Sequence, residues 1–149
     1  MKHKKVLPPG YLLVSIVSMA ALHFLFPVKK VIAFPLNFLG AIPLAIGIVL
    51  NIIADRALKK YKTTVKPFEK STILVTNGAF RVSRHPMYLG FVLILTGIAI
   101  FMGSLTPYLV IVVFAVLMDA VFIRTEEAML EETFGGAWLN YKRRVRRWI

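Results

Sequence analysis

The chain has 149 residues, 58% of them hydrophobic, no cysteine and a formal net charge of +12, with a mean hydropathy of +0.72. This length is the size of one compact domain, and the lack of cysteine excludes a disulfide framework, a thiolate nucleophile and a cysteine-based zinc site. The apolar residues come in long runs rather than in one stripe per helix, which indicates membrane spans, and basic residues flank those runs, which points to anionic lipid at a cytoplasmic face and away from nucleic acid.

Met1 to Lys5 is a short basic head. Residues 11–27 are apolar apart from Ser15, Ser18 and His23. No small-residue cleavage pattern follows, so the run reads as a first membrane helix and not as a signal peptide. His23 lies near its outer end and reads as an interfacial histidine with no role. A tight connection, Val28 to Ala33, leads to a second span over residues 35–54. Pro43 is expected to kink it, with Gly40 and Gly47 on either side allowing close helix approach. Asn51 and Asp55 are four apart and share a face near the inner end. Their plainer reading is an interfacial polar cap; the sharper one places Asn51 at a cofactor pocket.

The largest polar segment is 56–85, with eight Lys and Arg against one acid, Glu69. Residues 63–67 read as extended. Ser71 to Thr76 is β-branched and suited to packing along the membrane surface, and Asn77-Gly78 is a turn signal. Then comes Arg84-His85-Pro86-Met87-Tyr88-Leu89-Gly90. Proline is well tolerated as the first residue of a helix, and the residue before it is pushed away from helical geometry. The third span therefore starts at Pro86 and covers 86–102. Its mouth holds unpaired N–H groups and about half a positive charge, to which Arg84 adds a full one. Such a mouth suits an anionic group, a carboxylate or a phosphate.

Gly103 to Pro107 reads as a tight helical hairpin in which Gly103 ends one helix, Thr106 caps the next and Pro107 starts it. The fourth span covers 107–123 and contains one acid, Asp119. The tail, 124–149, continues that span as a helix with Glu126, Glu127, Glu131 and Glu132. At seven residues' separation, Asp119 and Glu126 are expected to share a face, with Glu127 and Glu131 on a neighbouring one. Phe134-Gly135-Gly136 breaks this helix. Trp138 to Ile149 is basic and aromatic and reads as an amphipathic helix on anionic lipid. With four spans, the head, the long segment and the tail share one side, which then holds 17 Lys and Arg against 2. The positive-inside rule places that side, and both termini, in the cytoplasm. The expected fold is an all-α integral membrane protein of four transmembrane helices with a cytoplasmic C-terminal helical extension.

The hairpin of spans three and four brings two clusters together at the membrane–cytoplasm boundary. One is Arg84, His85 and Tyr88; the other is Asp119, Glu126 and Glu127. A structural Arg–Glu bridge between helix ends explains this as readily as a pocket for a zwitterionic cofactor, with acids for an ammonium or sulfonium and Arg84 for a carboxylate. No histidine or acid spacing suits a metal, and no glycine-rich nucleotide loop or P-loop occurs.

Leu74-Val75-Thr76-Asn77-Gly78-Ala79-Phe80, the Arg84 to Gly90 stretch, and Arg124-Thr125-Glu126-Glu127-x-x-Leu130-x-x-x-Phe134-Gly135-x-x-Trp138-x-x-Tyr141-x-x-x-Val145 together resemble the isoprenylcysteine carboxyl methyltransferase family, within a wider group that includes the phospholipid N-methyltransferases. The resemblance covers residues 72–148, about half the chain. It implies an integral membrane enzyme that uses S-adenosylmethionine. It implies that His85, Pro86, Tyr88, Leu89, Gly90, Glu126, Glu127 and Tyr141 form the cofactor site, and that Arg84 and Glu127 serve catalysis, Arg84 by orienting an acidic substrate group. Trp138 stands where the family usually has tyrosine. The expected acceptor is lipidic, an isoprenylcysteine-like carboxylate first and a phospholipid amine second. An NADPH-dependent membrane reductase, which shares an Arg-His-Pro-x-Tyr stretch, and a non-catalytic membrane scaffold are the rival readings.

Overall fold

Three prolines mark where helices begin. Pro8, Pro86 and Pro107 each fall at the first or second helical position, where a residue without an N–H forfeits no hydrogen bond. The structure is a computed structural model that describes residues 7–63 and 69–149. Within them the chain forms α1 (Pro8–Leu25), a 3-10 turn (Leu36–Gly40) leading into α2 (Ala41–Lys60), a second 3-10 turn (Gly78–Arg81), α3 (Pro86–Met102), α4 (Thr106–Leu117), a π-helical stretch (Met118–Ile123), α5 (Arg124–Phe134) and α6 (Gly136–Arg144). The basic head and most of the segment read as extended, residues 64–67, lie outside the described residues.

The centre of the bundle is α3, which packs against α1, α2 and α4. Its Tyr88, Phe91, Leu95 and Ala99 join Met19 of α1, Phe114 of α4 and Met118, Phe122 and Ile123 of the π stretch in one buried core. The closest pairing is with α2 and its leading turn. A Cβ on Gly47 would lie 2.5 Å from the Gly90 carbonyl oxygen, and one on Gly97 would lie 2.6 Å from the Gly40 carbonyl oxygen. Two glycines spaced by a heptad on each segment thus meet in antiparallel register. Lipid tails are as apolar as leucine, so helices in a bilayer associate through such close packing and not through the hydrophobic effect. Asn51 belongs to this interface. Its Nδ2 donates to the Gly47 carbonyl at 2.9 Å and lies against Gly90, so it faces α3 and no pocket.

The outward faces are apolar. Leu13, Val14 and Val17 on α1, Ile42, Ile46 and Val49 on α2, and Leu109, Val112 and Val116 on α4 are all exposed. A soluble protein does not leave contiguous apolar faces of this extent to water. Three helical runs, Pro8–Leu25, Leu36–Lys60 and Thr106–Phe134, are long and apolar enough to cross a membrane, and α3 is a shorter apolar helix of 17 residues. The chain is an all-helical integral membrane protein.

Several boundaries differ from those the sequence suggests. The first helix starts at Pro8 and ends at Leu25 instead of covering 11–27, because Pro8 and Pro9 fill the first turn. The second continues to Lys60, past the end of its apolar run. Asp55 and Lys59 pair at 2.7 Å across one turn, and Lys59 and Lys60 sit at the helix C-terminus, where cations are favoured. The polar segment accordingly begins about five residues later than its composition implies. Pro43 is the third residue of α2, directly after the 3-10 turn, so it marks a junction between helix types and not a kink within one. Thr106 caps nothing: it is the first residue of α4, and its hydroxyl donates to the Leu22 carbonyl of α1. The fourth span does not end at Ile123 but runs without a break through the π stretch into α5. His23 has a partner, the hydroxyl of buried Ser104 at 2.7 Å. That contact joins the Val31 and Ile32 N–H bonds to the Gly103 carbonyl, at 2.8 and 3.1 Å, in tying the two tight connections together.

The glycine register makes a stability prediction. Gly97→Val places a branched side chain against the Gly40 carbonyl and should cost about 1–3 kcal/mol, read as a lowered thermal midpoint in detergent. Gly136→Ala, where a Cβ meets nothing within 4 Å, should leave the midpoint unchanged or raise it.

Candidate active site

Three segments meet at the mouth of α3. The first is Ser83-Arg84-His85, the second is α5, and the third is Val145 to Trp148 after α6. Pro86 keeps His85 off helical geometry, at φ −126° and ψ 61°. Ser83 is fully buried and holds the turn: its hydroxyl donates to the Arg147 carbonyl at 2.9 Å and accepts from the His85 N–H at 3.1 Å. The Arg84 N–H donates to the Arg146 carbonyl at 3.0 Å. The C-terminal segment thus straps the motif that precedes α3.

The side chains form a paired charge network. Buried Glu127 meets three cations: Arg84 Nη2 at 3.1 Å, His85 Nε2 at 3.3 Å and Arg147 Nη2 at 2.7 Å, with Arg147 Nε at 3.2 Å completing a two-pronged contact. Glu126 accepts from the Tyr88 hydroxyl at 2.5 Å and lies 3.4 Å from His85 Nδ1. Each His85 nitrogen therefore faces a carboxylate, and only the imidazolium can donate from both. Burial alone would lower the His85 pKa; the hydrogen bonds and charges of Glu126 and Glu127 outweigh it, and the net shift is upward from 6.5. The Arg84 guanidinium also lies over the Trp138 ring, 5.6 Å from its centroid.

A cavity of about 300 Å³ opens beside this network, a volume at the small end of the range for ligand sites. Its walls are mostly apolar and include Leu7 and Pro8 at the start of α1, Ile73, Leu74 and Val75 of the polar segment, Phe80, Met129 and Leu130. The stretch expected to lie along the membrane surface, Ser71 to Thr76, instead contributes to this wall. Arg84, His85, Pro86, Tyr88, Glu126 and Tyr141 reach the cavity. The remaining residues singled out from the sequence do not. Leu89 is buried away from the lining, Gly90 faces α2, and Glu127 stands behind Arg84 and His85. The Tyr141 hydroxyl donates to the Phe80 carbonyl at 2.6 Å and so fixes α6 to the 3-10 turn.

Two features of the tail differ from expectation. Asp119 is coupled to Glu127 and not to Glu126: Arg147 Nη1 lies 2.9 Å from Asp119 while its other nitrogens hold Glu127. The π stretch is the reason, because its turns close on i+5 and absorb an extra residue, moving the aligned partner of Asp119 from the seventh to the eighth position. Glu131, one turn further along α5, pairs with exposed Lys142 at 3.5 Å. The basic-aromatic stretch does not simply lie on lipid. Trp138 and Tyr141 are buried toward the cavity, and Lys142, Arg143, Arg144 and Arg146 remain exposed cations. Ser83 and Arg147 are site residues that reading the sequence does not isolate, and Trp138, noted there as a departure from the family's tyrosine, lines the cavity.

A family model described as phospholipid methyltransferase matches residues 36–137. The protein-S-isoprenylcysteine O-methyltransferase of Saccharomyces cerevisiae is 33% identical over 132 residues, which cover 82% of this chain and 54% of that protein. An uncharacterized protein of Haemophilus influenzae is 35% identical over 63 residues, 42% of this chain and all of its own length. The fold is also similar to the solved structure of a eukaryotic intramembrane Ras methyltransferase, an isoprenylcysteine carboxyl methyltransferase. The TM-score is 0.68 at 25% identity, covering 93% of this chain and 50% of the other. The chain spans about half the length of the isoprenylcysteine methyltransferases it matches.

Protonated His85 makes stability depend on pH. A folded-state pKa above 6.5 means that its contribution is fully present below pH 6.5 and is lost as pH rises through the folded-state value. The thermal midpoint should therefore fall as pH is raised above about 6.5, and His85→Gln should flatten that decline. A His85→Gln profile as steep as the wild type's would assign the dependence to another group.

Proposed function

This chain belongs to the phospholipid methyltransferase family, and we propose that it transfers a methyl group from S-adenosylmethionine to a lipidic acceptor at the membrane–cytoplasm boundary. One observation carries the reading. A mostly apolar cavity of about 300 Å³ presents the carboxylates of Glu126 and Glu69 and a guanidinium, Arg84, whose Nε and Nη1 are buried without a partner. A zwitterionic, partly aromatic cofactor needs these complementary groups, so the residues present fit S-adenosylmethionine. Pro86, Tyr88 and Tyr141 would form its walls, and Glu126 would hold its cationic centre.

The cofactor supplies an electrophilic methyl group on a sulfonium. The protein's task is alignment and exclusion of water, which can contribute roughly 7–11 kcal/mol to lowering the barrier. In this reading Arg84 orients the acceptor carboxylate, which needs no base to act as nucleophile. Glu127 serves catalysis at one remove, by holding Arg84 and His85 in place from behind. An isoprenylcysteine-like carboxylate is the favoured acceptor, because the S. cerevisiae relative and the solved neighbour are named for that group. The apolar cavity wall suits its prenyl chain. Four membrane spans, with α3 as the short third, both termini and the cavity on the cytoplasmic side, complete the proposal. The 17 to 2 division of Lys and Arg supports this orientation.

Calorimetric titration of detergent-purified protein with S-adenosylhomocysteine, the reaction product, tests the cofactor. Micromolar binding is expected, and it should disappear in His85→Ala protein shown to be folded by circular dichroism. No binding by folded wild-type protein would remove the methyltransferase reading. Arg84→Lys tests the acceptor role, since it keeps the charge and loses the planar fork. Turnover should fall by about tenfold or more, with little change in S-adenosylhomocysteine affinity. Equal losses in both would place Arg84 on the cofactor.

A further inference from the structure

Five buried side-chain polar atoms lack a hydrogen-bond partner among the described residues. Two are the amide oxygens of Asn37 and Asn51, which belong to the α2–α3 interface. The other three are all donors and all lie in one place: Arg84 Nε, Arg84 Nη1 and Trp138 Nε1. Both residues line the cavity, and the guanidinium lies over the indole ring. Unpaired buried donors cost free energy that a folded protein normally recovers with a partner. Neither acid of the network reaches these three atoms. Glu127 already receives Arg84 Nη2, His85 and Arg147, and Glu126 receives Tyr88 and His85. An indole N–H can only donate, so what completes this corner is an acceptor entering from the cavity.

We propose that Trp138 is a specificity-determining residue whose indole N–H acts with Arg84 to hold a carboxylate in the cavity. This rests on the methyltransferase reading, under which two carboxylates are available: that of the acceptor and that of the cofactor's amino-acid end. The ring also positions Arg84 from below, and that packing role is separable from the N–H by substitution.

Trp138→Phe keeps an aromatic face under Arg84 and deletes the donor. Replacing Trp138 with benzothienylalanine, in which sulfur takes the place of the N–H, keeps the bicyclic shape as well and serves if the phenylalanine variant misfolds. Dissociation constants are measured for S-adenosylhomocysteine, for methylthioadenosine, which lacks the amino-acid end, and for S-farnesylcysteine as free acid and as carboxamide. Weakening of about tenfold for the farnesylcysteine acid alone supports the inference and assigns the corner to the acceptor. The same weakening for S-adenosylhomocysteine alone supports it and assigns the corner to the cofactor. Unchanged affinity for both acids overturns it. Parallel weakening of all four compounds also overturns it, by reducing Trp138 to packing. Failure of the wild-type protein to bind S-adenosylhomocysteine would remove the functional reading and this inference with it, whereas wild-type binding that both variants retain would remove the inference alone.

Discussion

The buried carboxylate of Glu127 is the interaction on which the rest of the site depends. Its side chain is 6% exposed and meets Arg84, His85 and Arg147. A lone carboxylate in that position would be prohibitively costly, and a paired one is tolerated only when its lone pairs are met. Two parts of the chain supply what it needs, the turn before α3 and the segment after α6, while α5 carries the carboxylate itself. The same carboxylate that requires them therefore joins them. The backbone bonds from Arg84 and Ser83 to the carbonyls of Arg146 and Arg147 then fix the register of that junction. This explains why a stretch as short as Arg84-His85-Pro86 can be held in one geometry at a helix mouth.

The bundle behind the site solves a different problem. Water is not there to drive α2 and α3 together, so their association depends on how closely the backbones approach. The facing glycines carry no side chain at the points where the two backbones come closest. The large residues are placed outward, toward lipid, or toward α4 and the π stretch, where Phe91 and Phe114 meet edge to face at 6.4 Å. Position in the bundle also decides how each helix is made. The outer helices α1 and α2 have few buried residues, whereas α3, with neighbours on three sides, buries eight of its own. A short helix suffices at the centre because the others surround it.

What was legible in the sequence was local. Pro86 announced the start of α3 and Gly103, at φ 68°, its end, because each residue type has a single backbone reason to stand there. The hairpin then required Arg84 and His85 to meet acids from the next helix, and they do. What was not legible was set at a distance or by subtle geometry. Nothing in Met118 to Ile123 signals a π turn, yet that turn decides whether Glu126 or Glu127 aligns with Asp119. Arg147 sits among Arg143, Arg144 and Arg146 in a run whose composition suits lipid headgroups. Only the folded chain shows that one of the four turns inward. Composition likewise placed the end of α2 at its last apolar residue, although a helix can continue on an Asp55–Lys59 pair once its hydrocarbon segment is over.

Glu126 and Glu127 are adjacent in sequence and alike in chemistry, yet their surroundings give them different work. Consecutive residues on a helix point about 100° apart. One glutamate of the pair turns toward the cavity and the other turns into the protein. Glu126 keeps a 23% exposed side chain and has an uncharged partner in Tyr88. Glu127 is enclosed by guanidinium groups and has little charge left to offer a ligand. His85 lies between them and couples both. Under the proposed function, the carboxylate available to attract a cationic cofactor is therefore Glu126, while Glu127 holds the groups that surround it. Had the two environments been alike, two unscreened acids side by side would have repelled each other and drawn protons. The placement of three cations on one of them leaves the other accessible and directed at the cavity.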